Sequence, residues 1–356
     1  MSERPEGATG ARVRVLALPA FRNRSVNPYN ALLYTAVERL GPTVDEVSPR
    51  QLVGLRHDVV HIHWPEYVFD APGTAKAVAK SLAFALVLTA LRRRHTKVVW
   101  TIHNLAAHDQ WHGRWAGGMW RWFANRVDGY IALSAGGQAA ALQRFPMLRR
   151  RPGFVIPHGH YRGEYPDSVT REGARAALAL PAAAKVVVFV GAIRPYKNVP
   201  MLLEAFRLVP GADWRLVVAG QPATPALAAD LVARAADDGR VRVDLAFVPR
   251  ELLQVYLRAA DLVVLPYRDV LNSGSAMLAL SFDRPVLVPA RGAMAELRER
   301  VGAEWVCTYE GELTPSLLTE AMDWAGRAPH GASKRLDDLG WDEIARQTVR
   351  AYEAVR

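Results

Sequence analysis

The sequence predicts an α/β chain of two consecutive doubly wound domains. Three observations carry this. Short runs rich in Val, Ile and Leu alternate with helical patterns along nearly the whole chain. Those runs show little apolar–polar alternation, as expected of strands buried on both faces of a parallel sheet. The alternation restarts after a polar, charge-rich stretch at 161–183, so two βαβ arrays follow one another. With 356 residues, half of them hydrophobic, the chain fills two cores of ordinary size.

In the first array the β-rich runs fall at 13–18, 59–64, 98–103, 129–133 and 154–157. Helical patterns lie between them at 27–40, 74–93, 114–125 and 135–144. The second array places strands at 185–190, 215–219, 241–245, 262–265, 285–288 and 305–308. Its helices fall at 199–207, 225–237, 250–259, 275–282 and 294–300. The expected domains are 1–165 and 166–340. A last helix at 341–356 is expected to fold back on the first domain. Ligands of such sheets sit at the carboxyl ends of the strands, so the chemistry is sought in the loops after them.

Composition narrows the class. A single cysteine, Cys307 in an apolar run, excludes an internal disulfide framework and reads as a buried small hydrophobe. The first ten residues read as a floppy tail without a signal pattern. The longest apolar run, Leu82 to Leu91, is too short to span a bilayer. The expected compartment is the cytoplasm. A net charge of +10 fits phosphorylated ligands or an anionic membrane, as well as arginines that are simply solvated.

Two loops of the second array suit a diphosphate. After the first strand comes Gly191-Ala192-Ile193-Arg194-Pro195-Tyr196-Lys197-Asn198. Gly191 permits a tight turn and close approach of a phosphate, and Arg194 and Lys197 add two cations at the mouth of the next helix. After a later strand comes Leu265-Pro266-Tyr267-Arg268-Asp269-Val270-Leu271-Asn272-Ser273-Gly274-Ser275. Asn272, Ser273 and Ser275 are cap-type residues, and Gly274 lets backbone close on a ligand; plain helix capping is the competing reading.

These strings resemble the donor-side loops of GT-B glycosyltransferases. The similarity rests on G-x-x-x-x-x-K-N after a strand, on L-P-Y-R-x-x-x-x-S-G-S before a helix, and on R-P-V-x-x-P with a downstream Glu. It covers roughly residues 12–350 and is greatest to bacterial exopolysaccharide enzymes related to glycosyltransferase family 4. The resemblance implies a GT-B fold, with two Rossmann-like domains facing a cleft, and a hexosyltransferase-type activity. It implies that Arg194 and Lys197 face the donor diphosphate, that Ser273, Gly274 and Ser275 line the phosphate and sugar pocket, and that Glu296 lies at its rim. One departure stands out. The retaining family's two Glu, with seven residues between them, are replaced here by Val270 and Leu278, so ribose recognition and stereochemistry stay open.

The first array supplies acceptor-side candidates. His61-Ile62-His63-Trp64-Pro65-Glu66 ends one strand, and Thr101-Ile102-His103-Asn104 with His108-Asp109 follows another. His61 and His63 point to one strand face, yet no further ligand pattern completes a metal site, and no Asp-x-Asp appears; no metal or other cofactor is expected. An inverting transfer needs a base for the acceptor hydroxyl, and Asp109, His103 and Glu66 are the candidates in that order. Arg22 and Asn27, in the loop after the first strand, join His63 and Asn104 as acceptor-side residues.

The apolar run at 81–91 ends in Arg92-Arg93-Arg94. Trp111, Trp115, Trp120 and Trp122 interleave with Arg114 and Arg121, and Arg149-Arg150-Arg151 follows. Tryptophan beside arginine suits a membrane interface. The expected partners are a nucleotide sugar (GDP-mannose or a UDP-sugar), a glycan or polyprenyl-diphosphate-linked acceptor, and an anionic membrane surface, reached peripherally at the inner face of the cytoplasmic membrane. No nucleic-acid module is recognisable. A nucleotide-sugar epimerase of the same architecture and an inactive nucleotide-sugar-binding scaffold are the alternatives.

Overall fold

The computed structural model describes residues 12–48, 50–51, 56–69, 73–105, 113–268, 270–328 and 334–356. The chain divides into two compact units, residues 1–156 with 341–356 and residues 157–340. The division falls ahead of the expected boundary at 165. The Tyr161 backbone N–H donates to the buried Ser281 hydroxyl at 2.8 Å, and Arg162 pairs with Asp283 and Asp337, which ties this stretch into the second unit. The expected linker at 161–183 is also part of that unit's body. Arg175 there is buried, donates to the carbonyls of Ala182 and Ala184, and pairs with Asp261.

The first unit holds a six-stranded parallel sheet in the order β2-β1-β3-β4-β5-β6. The strands are β1 (Arg14–Leu18), β2 (Thr43–Glu46), β3 (Val59–Ile62), β4 (Lys97–Ile102), β5 (Gly129–Ala132) and β6 (Gly153–Val155). Successive side chains point to opposite faces. One face presents Val15, Ala17, Val59, Val99 and Ile131 to α1 (Tyr29–Arg39), which packs against the last helix of the chain, Trp341–Val355. Gly129 permits that: a Cβ there would lie 2.4 Å from Val355 Cγ1. The short helix α2 (Glu66–Phe69) and α3 (Thr74–Arg93) come next along the chain, followed by α4 (Gly113–Ala124) and α5 (Ala135–Arg144). Trp100 of β4 stacks into an aromatic cluster with Phe69, Trp120, Phe123 and Phe145. Trp120 is therefore core, only 2% exposed, and not an interfacial anchor. Trp122 lies beneath the Arg126 guanidinium at 4.3 Å.

The second unit is a parallel sheet in the order β12-β11-β10-β7-β8-β9. Its strands are β7 (Lys185–Val190), β8 (Trp214–Ala219), β9 (Val241–Asp244), β10 (Leu262–Val264), β11 (Val286–Pro289) and β12 (Val306–Tyr309). The helices are α6 (Arg171–Ala177), α7 (Val199–Arg207), α8 (Pro225–Ala235), α9 (Arg250–Ala259), α10 (Gly274–Ser281), α11 (Ala293–Val301) and α12 (Pro315–Ala325); the helix at Trp341–Val355 is α13 and belongs to the first unit. Counted from β7, the strand order is that of a dinucleotide-binding doubly wound sheet. Strands are added outward in opposite directions from the adjacent parallel pair β7 and β10, and that switch in winding makes a crevice at their carboxyl ends.

Candidate active site

The two loops singled out in the second array are the loops that leave β7 and β10, so both stand at the reversal point of that sheet. Gly191 follows β7 with φ +130°. A Cβ on it would lie 3.5 Å from Ser275 Oγ and 3.6 Å from Lys197 Nζ. Gly220, after β8, approaches so closely that a Cβ there would lie 2.0 Å from the Gly191 carbonyl oxygen. The β7 loop then makes a tight 3-10 turn at Pro195–Lys197, and Asn198 in the left-handed region starts α7.

That turn folds Lys197 inward. Its side chain is buried, with the ammonium 5.5 Å from the Tyr267 ring centre and 5.9 Å from that of Phe189. Burial pushes its pKa down; Tyr196 opposes this and Arg194 adds to it. Among the described residues no carboxylate pairs with this ammonium. A buried cation without a counter-ion is costly, and an anionic ligand relieves the cost.

Across from it, α10 begins. Ser273 is its N-cap, its hydroxyl accepting from Ala276 N at 3.1 Å. Its oxygen is thereby committed to capping, whereas the Ser275 hydroxyl faces Gly191. Asn272 is half-buried in the turn before the cap. The Tyr267 hydroxyl is buried; Ser275 and Ser273 partly offset the upward push of burial on its pKa, without a hydrogen bond of good geometry. Glu296 stands half-buried in the first turn of α11, one strand further along the sheet. Gly292 before it has φ +55°, and a Cβ there would lie 2.1 Å from the Val270 carbonyl oxygen, so the β10 and β11 loops lock together.

In the first unit, Glu66 and Asn104 meet. Asn104 Nδ2 donates to Glu66 Oε1 at 2.6 Å, while the buried Oε2 has no partner among the described residues. Glu66 is 5% exposed, and burial raises its pKa to about 7 against the pull of Asn104 and of its own backbone N–H. A carboxyl group poised there exchanges a proton at neutral pH.

Beside it runs a buried chain of rings. His61 Nε2 meets Thr101 Oγ1 at 2.7 Å, and its Nδ1 meets the hydroxyls of Tyr352 at 2.7 Å and Tyr34 at 3.0 Å. Tyr34 also meets His63 Nε2 at 2.6 Å, and His63 Nδ1 meets His103 Nε2 at 3.0 Å. Burial drives His61 down to about 3 and His63 well below its ordinary value, so both are neutral with one donor and one acceptor nitrogen each. The chain from Thr101 to His103 then has two self-consistent polarities. In one, every hydrogen points toward His103; in the other, every hydrogen points away. His103 stacks on Trp64 at 4.4 Å. His61 and His63 thus share a face, but their nitrogens are engaged within this chain.

Arg22 and Asn27 are occupied in shaping their own loop. Glu46 Oε2 accepts from the backbone N–H groups of Ala20, Phe21 and Arg22, Arg22 donates to the Val47 carbonyl, and Asn27 Oδ1 accepts from Tyr29 N. Asp109, ranked first as a base, lies outside the described residues, as do His108, Trp111 and Asp269.

The family described as "Glycosyl transferases group 1" matches residues 184–322, the body of the second unit. The chain is 34% identical over 354 residues to a GDP-mannose:glycolipid 4-beta-D-mannosyltransferase of Xanthomonas campestris pv. campestris, covering 97% of this chain and 93% of that one. The chain belongs to the GT-B glycosyltransferases. In fold it matches sucrose-phosphate synthase from Thermosynechococcus elongatus at a TM-score of 0.70 and 18% identity, over 96% of this chain and 99% of that one. It also matches Anabaena HepE, solved in complex with UDP-glucose, at 0.65 and 15% over 97% and 98%. This glycosyltransferase is accordingly a hexosyltransferase that draws on a nucleotide sugar.

Two residues of its second unit escaped the sequence reading. His158 Nδ1 donates to the Gly159 carbonyl at 2.7 Å, which leaves Nε2 to accept from the Tyr161 hydroxyl at 3.3 Å. Burial lowers His158 to about 4, so it is neutral. A Cβ on Gly274 would lie 3.4 Å from that hydroxyl and 3.7 Å from Nε2, so both groups border the start of α10. Their signal, Pro157-His158-Gly159 directly after β6, sat where the reading placed a strand end.

Proposed function

We propose that this glycosyltransferase moves mannose from GDP-mannose to a glycolipid acceptor at the inner face of the cytoplasmic membrane, in polysaccharide or glycolipid assembly. The supporting observation is Lys197: a buried ammonium with no counter-ion among the described residues, beside Gly191 and Ser275 at the reversal point of the sheet. The donor sugar and acceptor class are taken from the full-length mannosyltransferase relative.

In this reading the diphosphate lies against Gly191, Lys197, Arg194 and the N-terminus of α10. Gly274 and Ser275 offer backbone N–H groups there, while Ser273 holds the cap and Asn272 and Glu296 border the sugar. Positive charge and fixed dipoles then stabilise the departing nucleoside diphosphate, the role a divalent metal plays elsewhere, so no resident metal is needed. His158 and Tyr161 read sugar hydroxyls. In the first unit Glu66, held by Asn104, takes the proton of the acceptor hydroxyl as its oxygen bonds to the anomeric carbon and the bond to the phosphate breaks. His103, held from behind by the buried His63, orients that acceptor, and Arg22 and Asn27 shape the loop beside it.

The test is thermal-shift screening against GDP, UDP, dTDP and ADP, alone and as sugar conjugates. GDP and GDP-mannose are expected to stabilise the protein in proportion to their binding. Stabilisation by UDP alone would replace the donor, and none by any nucleotide would remove the donor site.

A further inference from the structure

The inference concerns α3 and rests on the reading that the acceptor is a lipid. Ala79, Leu82, Ala83 and Leu86 follow one another at helical spacing, and all four are exposed, Leu86 at 73%. Beneath them the helix does not close on the sheet. A cavity of about 170 Å³, open on one side, lies between α3 and the face of β1 and β3 opposite the histidine chain. Leu16, Leu18 and Ile62 line it from the sheet, and Phe84 and Val87 from the helix. Ala83 belongs both to the exposed stripe and to the cavity wall, so it stands at the mouth. A dry apolar cavity of about 150 Å³ accepts a six-carbon ring, so this one holds roughly one isoprene unit or a short alkyl end.

The charges around it specify what kind of chain. Thr74–Arg93 contains no Asp or Glu. Lys76 precedes the stripe and Lys80 lies within its span; both are exposed, Lys80 about 4.5 Å of helix rise from Ala83. Arg93 and Arg94 are exposed at the other end. An apolar slot bracketed by cations and free of acidic groups on its own helix fits an anionic amphiphile: hydrocarbon inside, phosphate at the lysines.

We propose that the cavity under α3 binds the hydrocarbon chain of the phosphate-bearing lipid acceptor and so registers that lipid on the first unit. The chain is drawn from the bilayer into protein; the exposed stripe alone would rest on the membrane without selecting a lipid.

The probes are methyl, prenyl and geranyl monophosphate, used as monomers and titrated calorimetrically into the full chain, with inorganic phosphate as reference. Affinity is expected to rise at least about tenfold from methyl to prenyl phosphate and to gain little more with geranyl. Ala83→Trp, which plugs the mouth from the solvent side, is expected to lose that gain while leaving the thermal shift with nucleoside diphosphate unchanged. Val87→Phe fills the slot from inside and guards against misfolding of the first variant. Lys76→Ala with Lys80→Ala is expected to weaken all three phosphates equally. Affinity independent of chain length, or variants that bind prenyl phosphate as the wild type does, would overturn the proposal. Flotation with anionic vesicles and transfer to lipid acceptor would still stand in that case, so its failure is separate from that of the lipid-acceptor reading.

Discussion

Glu66→Gln separates a catalytic carboxyl from a structural one. In the folded protein Glu66 is raised from 4.5 to about 7, chiefly by burial. At about 1.36 kcal/mol per unit, the ionised form carries a penalty of about 3 kcal/mol in the native state. The sign follows from proton counting. Between these two values the native state binds more protons than the unfolded chain, so stability is highest at low pH and falls as pH rises through 7. Glutamine has no such slope. It retains an oxygen for Asn104 but places an NH₂ where Oε2 now has no partner, a pH-independent cost of about 1–3 kcal/mol. The informative quantity is therefore the slope difference between variant and wild type, not the offset.

Urea unfolding at a series of pH values from 4.5 to 8.5 reads that slope. The wild type is expected to lose about 3 kcal/mol more than Glu66→Gln across the range. In transfer assays the variant is expected to lose about 10²–10⁴-fold in kcat, and the wild-type rate to climb with pH through an inflection near 7 that the variant lacks. Parallel stability curves would refute the burial argument. A variant with wild-type kcat would refute the assignment of Glu66 as base, even with the slope intact.

Lys197→Met removes the buried charge while keeping the stem. It is expected to abolish the thermal shift with nucleoside diphosphate and lower kcat by about 10²–10³-fold, with unliganded stability unchanged or raised, because the lowered pKa marks an ammonium the fold disfavours. Unaltered nucleotide binding would remove Lys197 from the donor site. Tyr34→Phe breaks the ring chain between His61 and His63, and is expected to cost about 1–3 kcal/mol in urea unfolding by leaving His63 Nε2 without its partner. Tyr352→Phe should cost less, since His61 Nδ1 keeps Tyr34; equal costs would show that the chain is not the unit of stabilisation.

The elements legible in the sequence were those whose signal is local. The run at Lys185–Val190 and the helices Thr74–Arg93, Val199–Arg207 and Arg250–Ala259 carry enough apolar pattern or turn chemistry to fix both ends. Strand β2, Thr-Val-Asp-Glu at the sheet edge, has one buried apolar residue and gives no such signal. Helix α6 is held through Arg175, Asp261 and two carbonyls, partners 7 to 86 residues away, so its sequence reads as a polar linker. Helix α12 was missed although Thr314-Pro315 caps it in the ordinary way. The donor loops were readable because glycine, lysine and cap residues act close to where they stand. Burial is not local, and it is burial that raises the Glu66 pKa to about 7. Trp120 misled for the same reason: it gives the same letter whether it faces lipid or Phe145.

The missing pair of carboxylates and the poised Glu66 belong to one argument. Where retaining relatives carry acidic groups, this chain has Val270, 8% exposed, and Leu278, half-buried in α10. Neither side chain can hydrogen-bond a sugar or ribose hydroxyl, so in the proposed reading the second unit grips its donor through the diphosphate, at Lys197 and the start of α10. A donor gripped that way needs the acceptor activated from elsewhere, and the β-linkage named for the mannosyltransferase relative, made from an α-linked donor, requires an attacking hydroxyl that loses its proton as it inverts the anomeric carbon. The first unit supplies a carboxyl group whose pKa is set near 7 and whose buried second oxygen has no hydrogen-bond partner among the described residues. Introducing the carboxylates alone therefore should not change the stereochemical outcome. In a Val270→Glu, Leu278→Glu double variant, anomer-resolved NMR should show the same product anomer as the wild type for as long as Glu66 is present, and the opposite anomer would show that the second unit, not Glu66, dictates the stereochemistry.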